Sequence, residues 1–231
     1  MKKIITFSFD DGCSEDFKTA ELLAKYGFKA TFYIANSHSH NPLQPNEIRQ
    51  LSYLGEIGAH TRNHIRLDKL NYISQKKEIE YNKKYLEDII GKSVDVFCPP
   101  KGYYNKKTLK IIKELGFAGM RTTKDFQIKF NNNYEMPTTL QLYPHKIEIM
   151  IYHLIKYNPQ YFFFLFPYKL KSIEQILIFF NKIINLSGGV LHLWGHSWEL
   201  EMFININYLK SILKLVESFN YESYYNSQLV L

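Results

Sequence analysis

The feature that most limits the possible folds of this chain is a regular alternation between short apolar segments and longer amphipathic ones. The short segments are rich in β-branched and aromatic residues and are predicted to be strands, as at 30–35 (ATFYIA), 94–98 (VDVFC) and 190–196 (VLHLWGH). Between them lie segments with helical spacing, such as 74–90, which stops at Gly91, a typical helix-ending residue. The alternation predicts a mostly parallel sheet, either a (β/α) barrel or an open, doubly wound α/β sheet.

The size and composition suit one globular domain over residues 1–231. The chain has 231 residues, of which 45% are hydrophobic, and it contains no internal repeat and no linker-like segment. Its net charge of +7 favours anionic partners, but the lysines are spread over several predicted helices and no arginine-rich run occurs. We therefore predict a basic, solvated surface and no nucleic-acid partner.

Cysteine content and the first residues bear on location. Cys13 and Cys98 are the only cysteines, which is too few for a disulfide framework and suits a reducing compartment. The chain begins with basic residues like a signal peptide, but the apolar stretch that follows is short and meets two aspartates at once. No apolar run reaches the length of a transmembrane helix. The expected location is cytoplasmic.

Polar residues directly follow several of the predicted strands. The first strand ends in TFSFDDG, which carries Asp10 and Asp11, and a later strand ends at His60. The turn PPKG, Arg121 and His196 stand at the ends of three others. In parallel α/β folds the C-terminal ends of the strands form the rim where active sites are built. We expect these residues to share one site.

The two adjacent aspartates point to a cation. Asp10 and Asp11 repel each other and are costly to desolvate unless a positive charge lies beside them. The segment HTRNH places His60 and His64 four residues apart, so that one helical turn would present both imidazoles on the same face. Two imidazoles and a carboxylate are a common catalytic zinc set, with positions left for water and substrate. Together these residues predict a divalent metal site.

Four motifs resemble those of the polysaccharide deacetylases, the NodB-like carbohydrate esterases. TFSFDDG, HTRNH, PPKGYYN and LHLWGH occur in the order and at the rough spacing of that family, over residues 6–196. The resemblance implies a distorted (β/α) barrel with about seven strands. It also implies metal-dependent hydrolysis of an N-acyl group on a sugar, with N-acetyl as the leading case.

The resemblance assigns roles to individual residues. Asp10 matches the general base of the family, and Asp11, His60 and His64 match its metal ligands. His196 matches the histidine that protonates the departing amine, which an amide nitrogen needs in order to leave. One divalent metal is implied; zinc suits the mixed oxygen and nitrogen ligands, and manganese, cobalt or nickel would also fit.

The turn at residues 99–102 would complete the substrate site. By the same resemblance, the backbone N–H of Lys101 would stabilise the oxyanion that forms on the acyl carbonyl. Gly102 and Tyr103 would lie with it beside the substrate. The alternative is a rigid turn with no further role.

One position departs from the family pattern. Where members often carry an arginine that holds the catalytic aspartate, this chain has Cys98. Arg121 stands at a suitable place to substitute, with a guanidinium that would orient Asp10 and favour its charged form. The alternative is an ordinary surface arginine.

Two tryptophans flank the candidate acid His196. Trp194 and Trp198 either stack on sugar rings or belong to the core, and the sequence leaves both open. Glu199 is placed to orient the imidazole.

The expected location narrows the substrate. A cytoplasmic enzyme would meet a nucleotide-linked or lipid-linked sugar of surface-glycan synthesis more readily than a mature wall polymer. Two rivals remain: a non-catalytic carbohydrate-binding relative, which would need neither base nor acid, and a hydrolase of another C–N bond, in a cyclic amide or a formyl group.

The segment 155–172 sets a cluster of aromatic residues between Lys156, Lys169 and Lys171. Such a pattern suits contact with an anionic membrane surface. The alternatives are that these aromatic residues pack over the barrel or against a second subunit in a homo-oligomer.

Overall fold

The first strand, β1 (Lys3–Asp11), is the centre of the fold. The computed structural model describes residues 2–37, 41–129, 132–143, 146–165, 172–203 and 206–230. β1 pairs in parallel with β2 (Ala30–Ile34) on one side and with β7 (Gly189–Gly195) on the other. From its third residue onward β1 is buried, which explains why its sequence is nearly continuously apolar before the aspartates.

The remaining strands extend the sheet on both sides of β1. They are β3 (Glu56–Ala59), β4 (Val96–Phe97), β5 (Gly119–Met120), β6 (Leu140–Gln141) and β8 (Glu222–Ser223). The strand order is β5-β4-β3-β2-β1-β7-β6, with β8 paired to the start of β1. Between β5 and β6 a parallel bridge from Arg121 to Met136 continues the wall. The sheet is a curled, distorted (β/α) barrel, so the expected fold class is confirmed.

Helices connect the strands, and the helix predicted at 74–90 ends at Gly91 as expected. They are α1 (Asp16–Lys25), α2 (Pro45–Leu51), α3 (Tyr72–Ile90), α4 (Lys106–Glu114), α5 (Ile147–Tyr157), α6 (Phe162–Leu165), α7 (Ile173–Ser187), α8 (Ser197–Phe203) and α9 (Ile206–Glu217). Short 3-10 helices lie at Leu67–Lys69, Pro100–Gly102, Asn133–Glu135, Pro159–Tyr161 and Ser227–Leu229. The Asn71 side chain caps α3, which ends at left-handed Gly91, and Asn105 caps α4.

Side chains of β2 and β4 alternate between two environments. Phe32, Ile34 and Phe97 belong to the large apolar core that the helices share with the sheet. Tyr33, Val96 and Cys98, one residue away, form a smaller cluster with Met136. Because neighbouring side chains of a strand point to opposite faces, this smaller cluster lies on the inner face of the barrel.

Some elements of the structure were not predicted from the sequence, and some predicted strands are longer than the observed ones. The strand predicted at 94–98 contains only two paired residues, as does the strand that ends before Arg121, while β6, α5, α6, α8 and β8 were not predicted. The segment 155–172 contributes to α5 and α6, and residues 166–171, with Lys169 and Lys171, lie outside the described residues. In the described parts of the chain, no helix has the length and apolar character needed to cross a membrane.

Candidate active site

Strand register brings the predicted site residues to one edge of the sheet. A row of paired residues crosses the five neighbouring strands from β1 to β5, with each residue paired to the one on the next strand. It consists of Asp11, Ile34, Ala59, Phe97 and Met120. On the other side of β1, Gly195 pairs with Phe9. The residues that follow these positions in the chain are His60, Cys98, Arg121 and His196. The expectation that they share one rim is confirmed.

Both aspartates reach this rim because the backbone of Asp11 leaves the extended conformation. Its φ angle is 86°, in the left-handed region, and that of Gly12 is 80°. In a regular strand the side chains of Asp10 and Asp11 would point to opposite faces, and the left-handed residue breaks that alternation. A positive φ is uncommon for residues other than glycine, and such strain is concentrated at functional sites.

Asp10 forms an ion pair with the fully buried Arg121, whose Nη2 donates to Asp10 Oδ1. The guanidinium lies between two aromatic rings, 5.2 Å from the centroid of Tyr33 and 4.8 Å from that of Trp194. Burial opposes its charge, but the Asp10 carboxylate outweighs this and raises the pKa of Arg121. Cys98 Sγ, 3.8 Å away, donates to the other Asp10 oxygen. The predicted contact of Arg121 with Asp10 is present, and the alternative of a surface arginine is wrong.

Asp11, His60 and His64 form the candidate metal centre. The Nε2 atoms of His60 and His64 lie 3.7 and 3.1 Å from Asp11 Oδ1, and one ligand atom from each residue falls within 4.8 Å of the others. His60 Nδ1 is 2.7 Å from the Cys98 carbonyl oxygen, so it carries the proton and leaves Nε2 as the free donor atom. Two imidazole nitrogens and one carboxylate oxygen fit a divalent cation of the zinc type.

The two histidines do not lie on a helical turn, so that part of the prediction is wrong. Residues 60–66 form a loop after β3, with left-handed φ angles of 69° at Thr61 and 50° at His64. The loop folds back so that the rings approach each other, with centroids 5.0 Å apart. The imidazoles therefore converge through two unusual backbone angles and not through helical periodicity.

A tryptophan hydrogen-bonds the carboxylate of the candidate metal centre. Trp198 Nε1 donates to Asp11 Oδ2 at 3.0 Å. Burial acts to raise the pKa of Asp11, but the neighbouring imidazoles of His60 and His64 and the charge of His196 hold it well below its usual range. Asp11 is therefore a carboxylate at any ordinary pH.

His196 lies beside Asp11 at this site. Its Nε2 is 3.9 Å from Asp11 Oδ2, and its Nδ1 is 2.6 Å from Glu199 Oε2. Gln141 Nε2 donates to the same Glu199 oxygen at 3.3 Å. Burial acts to lower the pKa of His196, but the Glu199 hydrogen bond and the nearby aspartates raise it to about 9. The expected contact between Glu199 and His196 is present.

The turn after β4 lies close to the strand end that carries Arg121. Lys101 and Gly102 are both left-handed, with φ angles of 57° and 70°. A Cβ at Gly102 would collide with the Thr123 hydroxyl, so this position needs glycine. Lys101 and Tyr103 are exposed, and the Arg66 guanidinium lies 3.4 Å from the centroid of the Tyr103 ring.

The two tryptophans differ in exposure. Trp194 is only 6% exposed, and its ring packs on Arg121. The prediction that it binds substrate is therefore wrong, and its alternative, a core role, is correct. Trp198 is half-buried, with its ring tilted against His196 at a centroid distance of 5.5 Å.

Sequence reasoning missed two buried polar residues that support the site. Asn82 accepts the backbone N–H of His60 at 2.7 Å and donates to the Ile34 carbonyl at 2.9 Å. It shares a buried face of α3 with Ile79 and Leu86, and a polar residue on that apolar stripe is the signal that could have identified it. Asp125, on the loop after β5, accepts the indole N–H of Trp194 at 2.8 Å, and no local pattern marks it.

Comparison with known proteins shows which family this chain resembles. The sequence pattern of the family described as "Polysaccharide deacetylase" matches residues 1–120. YxkH of Bacillus subtilis (strain 168) is 29% identical over 128 residues, which are 53% of this chain and 46% of YxkH. The Peptidoglycan-N-acetylglucosamine deacetylase of Bacillus cereus is 28% identical over 127 residues, 54% of this chain and 46% of that protein. The chain thus matches just under half the length of each relative.

A solved structure extends the likeness to the whole fold. The Xyl-CE4 domain of a multidomain xylanase from the hindgut metagenome of Trinervitermes trinervoides superposes with a TM-score of 0.64 at 16% identity. The superposition covers 99% of this chain and 90% of that domain, so the barrel architecture is shared to its end. Because the family pattern also matches 120 of the 231 residues, the protein belongs to the polysaccharide deacetylase family.

Proposed function

We propose that this protein hydrolyses the N-acyl group of a sugar, with N-acetyl as the leading case, and releases a carboxylic acid and a free amine. The observation that carries the proposal is the arrangement around Asp11. A carboxylate and two imidazoles suited to a cation share the rim with Asp10, held by Arg121, and with His196, held by Glu199. A base and an acid beside a Lewis-acid site are what amide hydrolysis requires.

Asp11, His60 and His64 would hold the divalent metal, with zinc favoured by the mixed ligand set. When bound, such a cation supplies Lewis acidity, which polarises the acyl carbonyl and makes water easier to deprotonate. The Cys98 carbonyl and the Trp198 N–H fix the orientation of His60 and Asp11 beforehand.

Asp10 is the candidate general base. Its Oδ1 is engaged by Arg121 and its Oδ2 faces only the weak donor Cys98 Sγ at 3.8 Å in the described structure, so Oδ2 is the oxygen better able to accept a proton. In the proposed reaction Asp10 takes a proton from the attacking water while the water oxygen bonds to the acyl carbon. The carbonyl π electrons move to oxygen, which gives a tetrahedral oxyanion.

His196 is the candidate general acid. Glu199 holds Nδ1, which leaves Nε2 directed at the rim beside Asp11. In the second step Nε2–H gives its proton to the amide nitrogen as the C–N bond breaks and the carbonyl re-forms. The carboxylic acid and the amine sugar then separate, and the Asp10 proton passes to solvent or to the imidazole.

The turn at 99–102 is the candidate oxyanion support. The N–H groups of Gly102 and Tyr103 donate to the Pro99 and Pro100 carbonyls at 3.0 and 3.2 Å, so the candidate anion donor of this turn is the backbone N–H of Lys101. The backbone N–H of Lys101 would then assist the cation at the developing oxyanion. The exposed Tyr103 and its Arg66 neighbour offer a surface for the sugar.

We further propose a phosphate-bearing sugar, nucleotide-linked or lipid-linked, as the substrate of a cytoplasmic enzyme that works at the inner membrane surface. The net charge of +7 supports an anionic substrate. The two cysteines are unpaired and buried, which suits a reducing compartment.

The test is acyl release by the zinc-loaded chain from N-acetylated nucleotide sugars and N-acetylated oligosaccharides. We expect acetate and free amine in equal amounts from the wild type. Asp10→Asn should keep the metal but lose turnover, His196→Ala should lose about a hundredfold or more in rate, and the exposed Asp88→Asn serves as an unaffected control.

Two outcomes would refute the proposal. Tight sugar binding with no acetate release would favour the carbohydrate-binding alternative. Turnover of cyclic amides or formyl groups in place of N-acetyl sugars would reassign the substrate to another C–N bond.

A further inference from the structure

Asp125 is a buried carboxylate that takes no part in the proposed proton transfers. It lies on the loop after β5 and is 4% exposed. Its Oδ1 accepts the Thr138 hydroxyl at 2.6 Å and the Trp194 indole N–H at 2.8 Å, and its Oδ2 is 3.1 Å from Nδ1 of His153 on α5. Three such contacts fix the position of this buried carboxylate. Of its three partners, Trp194 is the one that extends toward the candidate active site.

Trp194 lies between the two halves of the candidate catalytic apparatus. The Arg121 guanidinium carbon is 4.8 Å from the centroid of its ring. The imidazole of His196 meets the same indole edge-on, with centroids 6.0 Å apart and planes at 67°. The orientation of this one ring therefore bears on the partner of the candidate base and on the candidate acid.

Arg121 depends strongly on these rings. Its Nη2 binds Asp10, while its Nε and Nη1 have no protein hydrogen-bond partner among the described residues. The planar guanidinium instead makes cation–π contacts with the rings of Tyr33 and Trp194. An arginine held by one carboxylate and two rings will shift if one ring rotates, and Asp10 will shift with it.

We infer that Asp125 is a positioning residue, which acts through its hydrogen bond to the Trp194 indole to hold Arg121, and so Asp10, in the catalytic geometry. The predicted change in kcat rests on the proposed function, whereas the predicted change in the position of the Trp194 ring does not. It assigns a role in the reaction to the loop after β5, which begins with Arg121, the partner of the candidate base.

The test compares Asp125→Asn with Asp125→Leu in the full, metal-loaded chain. Asparagine keeps an oxygen that can accept the indole N–H, whereas leucine keeps a similarly branched side chain, although a bulkier one, and has no acceptor. We expect Asp125→Leu to lower kcat by about tenfold to a hundredfold, the scale of a small misplacement of reacting groups. KM should stay within about twofold, because the buried Trp194 ring is not a sugar platform, and Asp125→Asn should restore most of kcat.

Two further variants separate positioning from general destabilisation. Trp194→Phe keeps a ring but removes the N–H donor, so it should lower kcat like Asp125→Leu, and the double variant should be no slower than either single one. Thr138→Val removes another hydrogen bond to Asp125 and should lower the melting temperature while kcat stays near the wild-type value. Multiplicative losses in the double variant, or Asp125→Asn as slow as Asp125→Leu, would overturn the inference.

Fluorescence tests the structural link without activity. Trp194 and Trp198 are the only tryptophans, so a Trp198→Phe background reports on Trp194 alone. Acrylamide should quench Trp194 more strongly when Asp125→Leu is added, and to the original extent with Asp125→Asn. Unchanged quenching in the leucine variant overturns the inference whether or not the chain is active, whereas absent acetate release from the wild type refutes only the proposed function.

Discussion

His192 predicts a specific dependence of stability on pH. The residue lies in β7 and is 2% exposed; its Nε2 is 2.9 Å from the Ser8 hydroxyl, and the ring also hydrogen-bonds the Pro137 carbonyl. Burial, together with the positive charge of Arg121, lowers the pKa of His192 from 6.5 to about 3. The folded protein therefore contains a neutral imidazole where the unfolded chain contains one that is protonated below pH 6.5.

The size of the effect follows from proton linkage. Above pH 6.5 the imidazole is neutral in both states and its titration has no effect on the free energy of unfolding. As the pH falls, the unfolded chain takes up a proton that the folded protein excludes, which costs about 1.4 kcal/mol per pH unit until the folded pKa near 3 is reached. Between pH 6 and pH 4.5 this one residue should cost about 2 kcal/mol.

The assay compares thermal unfolding of the wild type and His192→Gln, both without metal, at several pH values from 7 to 4.5. Glutamine cannot titrate, so the melting temperature of the wild type should fall by about 4 to 8 °C more than that of the variant between pH 6 and 4.5. Ser8→Ala is the matched control. It removes the hydrogen bond but keeps the imidazole, so it should lower stability by about 1 kcal/mol without changing the slope against pH.

Parallel curves for the wild type and His192→Gln would refute the reasoning. They would mean that the imidazole takes up its proton in the folded state as readily as in the unfolded chain. The buried position beside Arg121 would then have to admit a second positive charge.

Three further predictions concern the site and the surface. Asp11→Ala should lose bound metal, measured as zinc stoichiometry after dialysis, and full stoichiometry would contradict the ligand assignment. Arg121→Ala should lower the free energy of unfolding by about 3 kcal/mol or more, because it leaves a carboxylate buried without its cation, and should lower turnover less than loss of the candidate base. Phe163 and Phe164 are 85% and 63% exposed, so the chain should sediment with anionic vesicles at low salt and stop doing so when both become Ser. Tyr53→Ser, at another exposed aromatic residue, is the control, and a chain that stays in the supernatant contradicts membrane contact.

The rim was predictable because its signals are local. Strand ends are marked by a change from apolar to polar residues within a few positions, and parallel pairing then places those ends at one level. Asp10, Asp11, His60, Arg121 and His196 could therefore be grouped without knowledge of any contact. The apolar run of β1 likewise predicts its buried, central position.

The detailed arrangement was not predictable because distant residues impose it. The loop at 60–64 is held by Glu78 of α3, whose backbone carbonyl accepts the Arg62 N–H at 3.0 Å. The Glu78 carboxylate accepts the backbone N–H of Asn63 at 2.9 Å and its side-chain amide N–H at 2.6 Å. That anchor, and not helical periodicity, brings His64 to Asp11. The burial of Trp194 likewise depends on Arg121, which arrives from a different strand.

The pair Cys98 and Arg121 explains how Asp10, the candidate base, is held by an arginine directly after β5 and not by one at position 98. Phe97 pairs with Met120, so the next residues of the two strands, Cys98 and Arg121, stand side by side over Asp10. Each contacts a different oxygen of that carboxylate, through Sγ and Nη2. One carboxylate can neutralise one buried guanidinium, and a second at position 98 would be a buried charge without a partner. The two positions are therefore coupled through their common partner, Asp10.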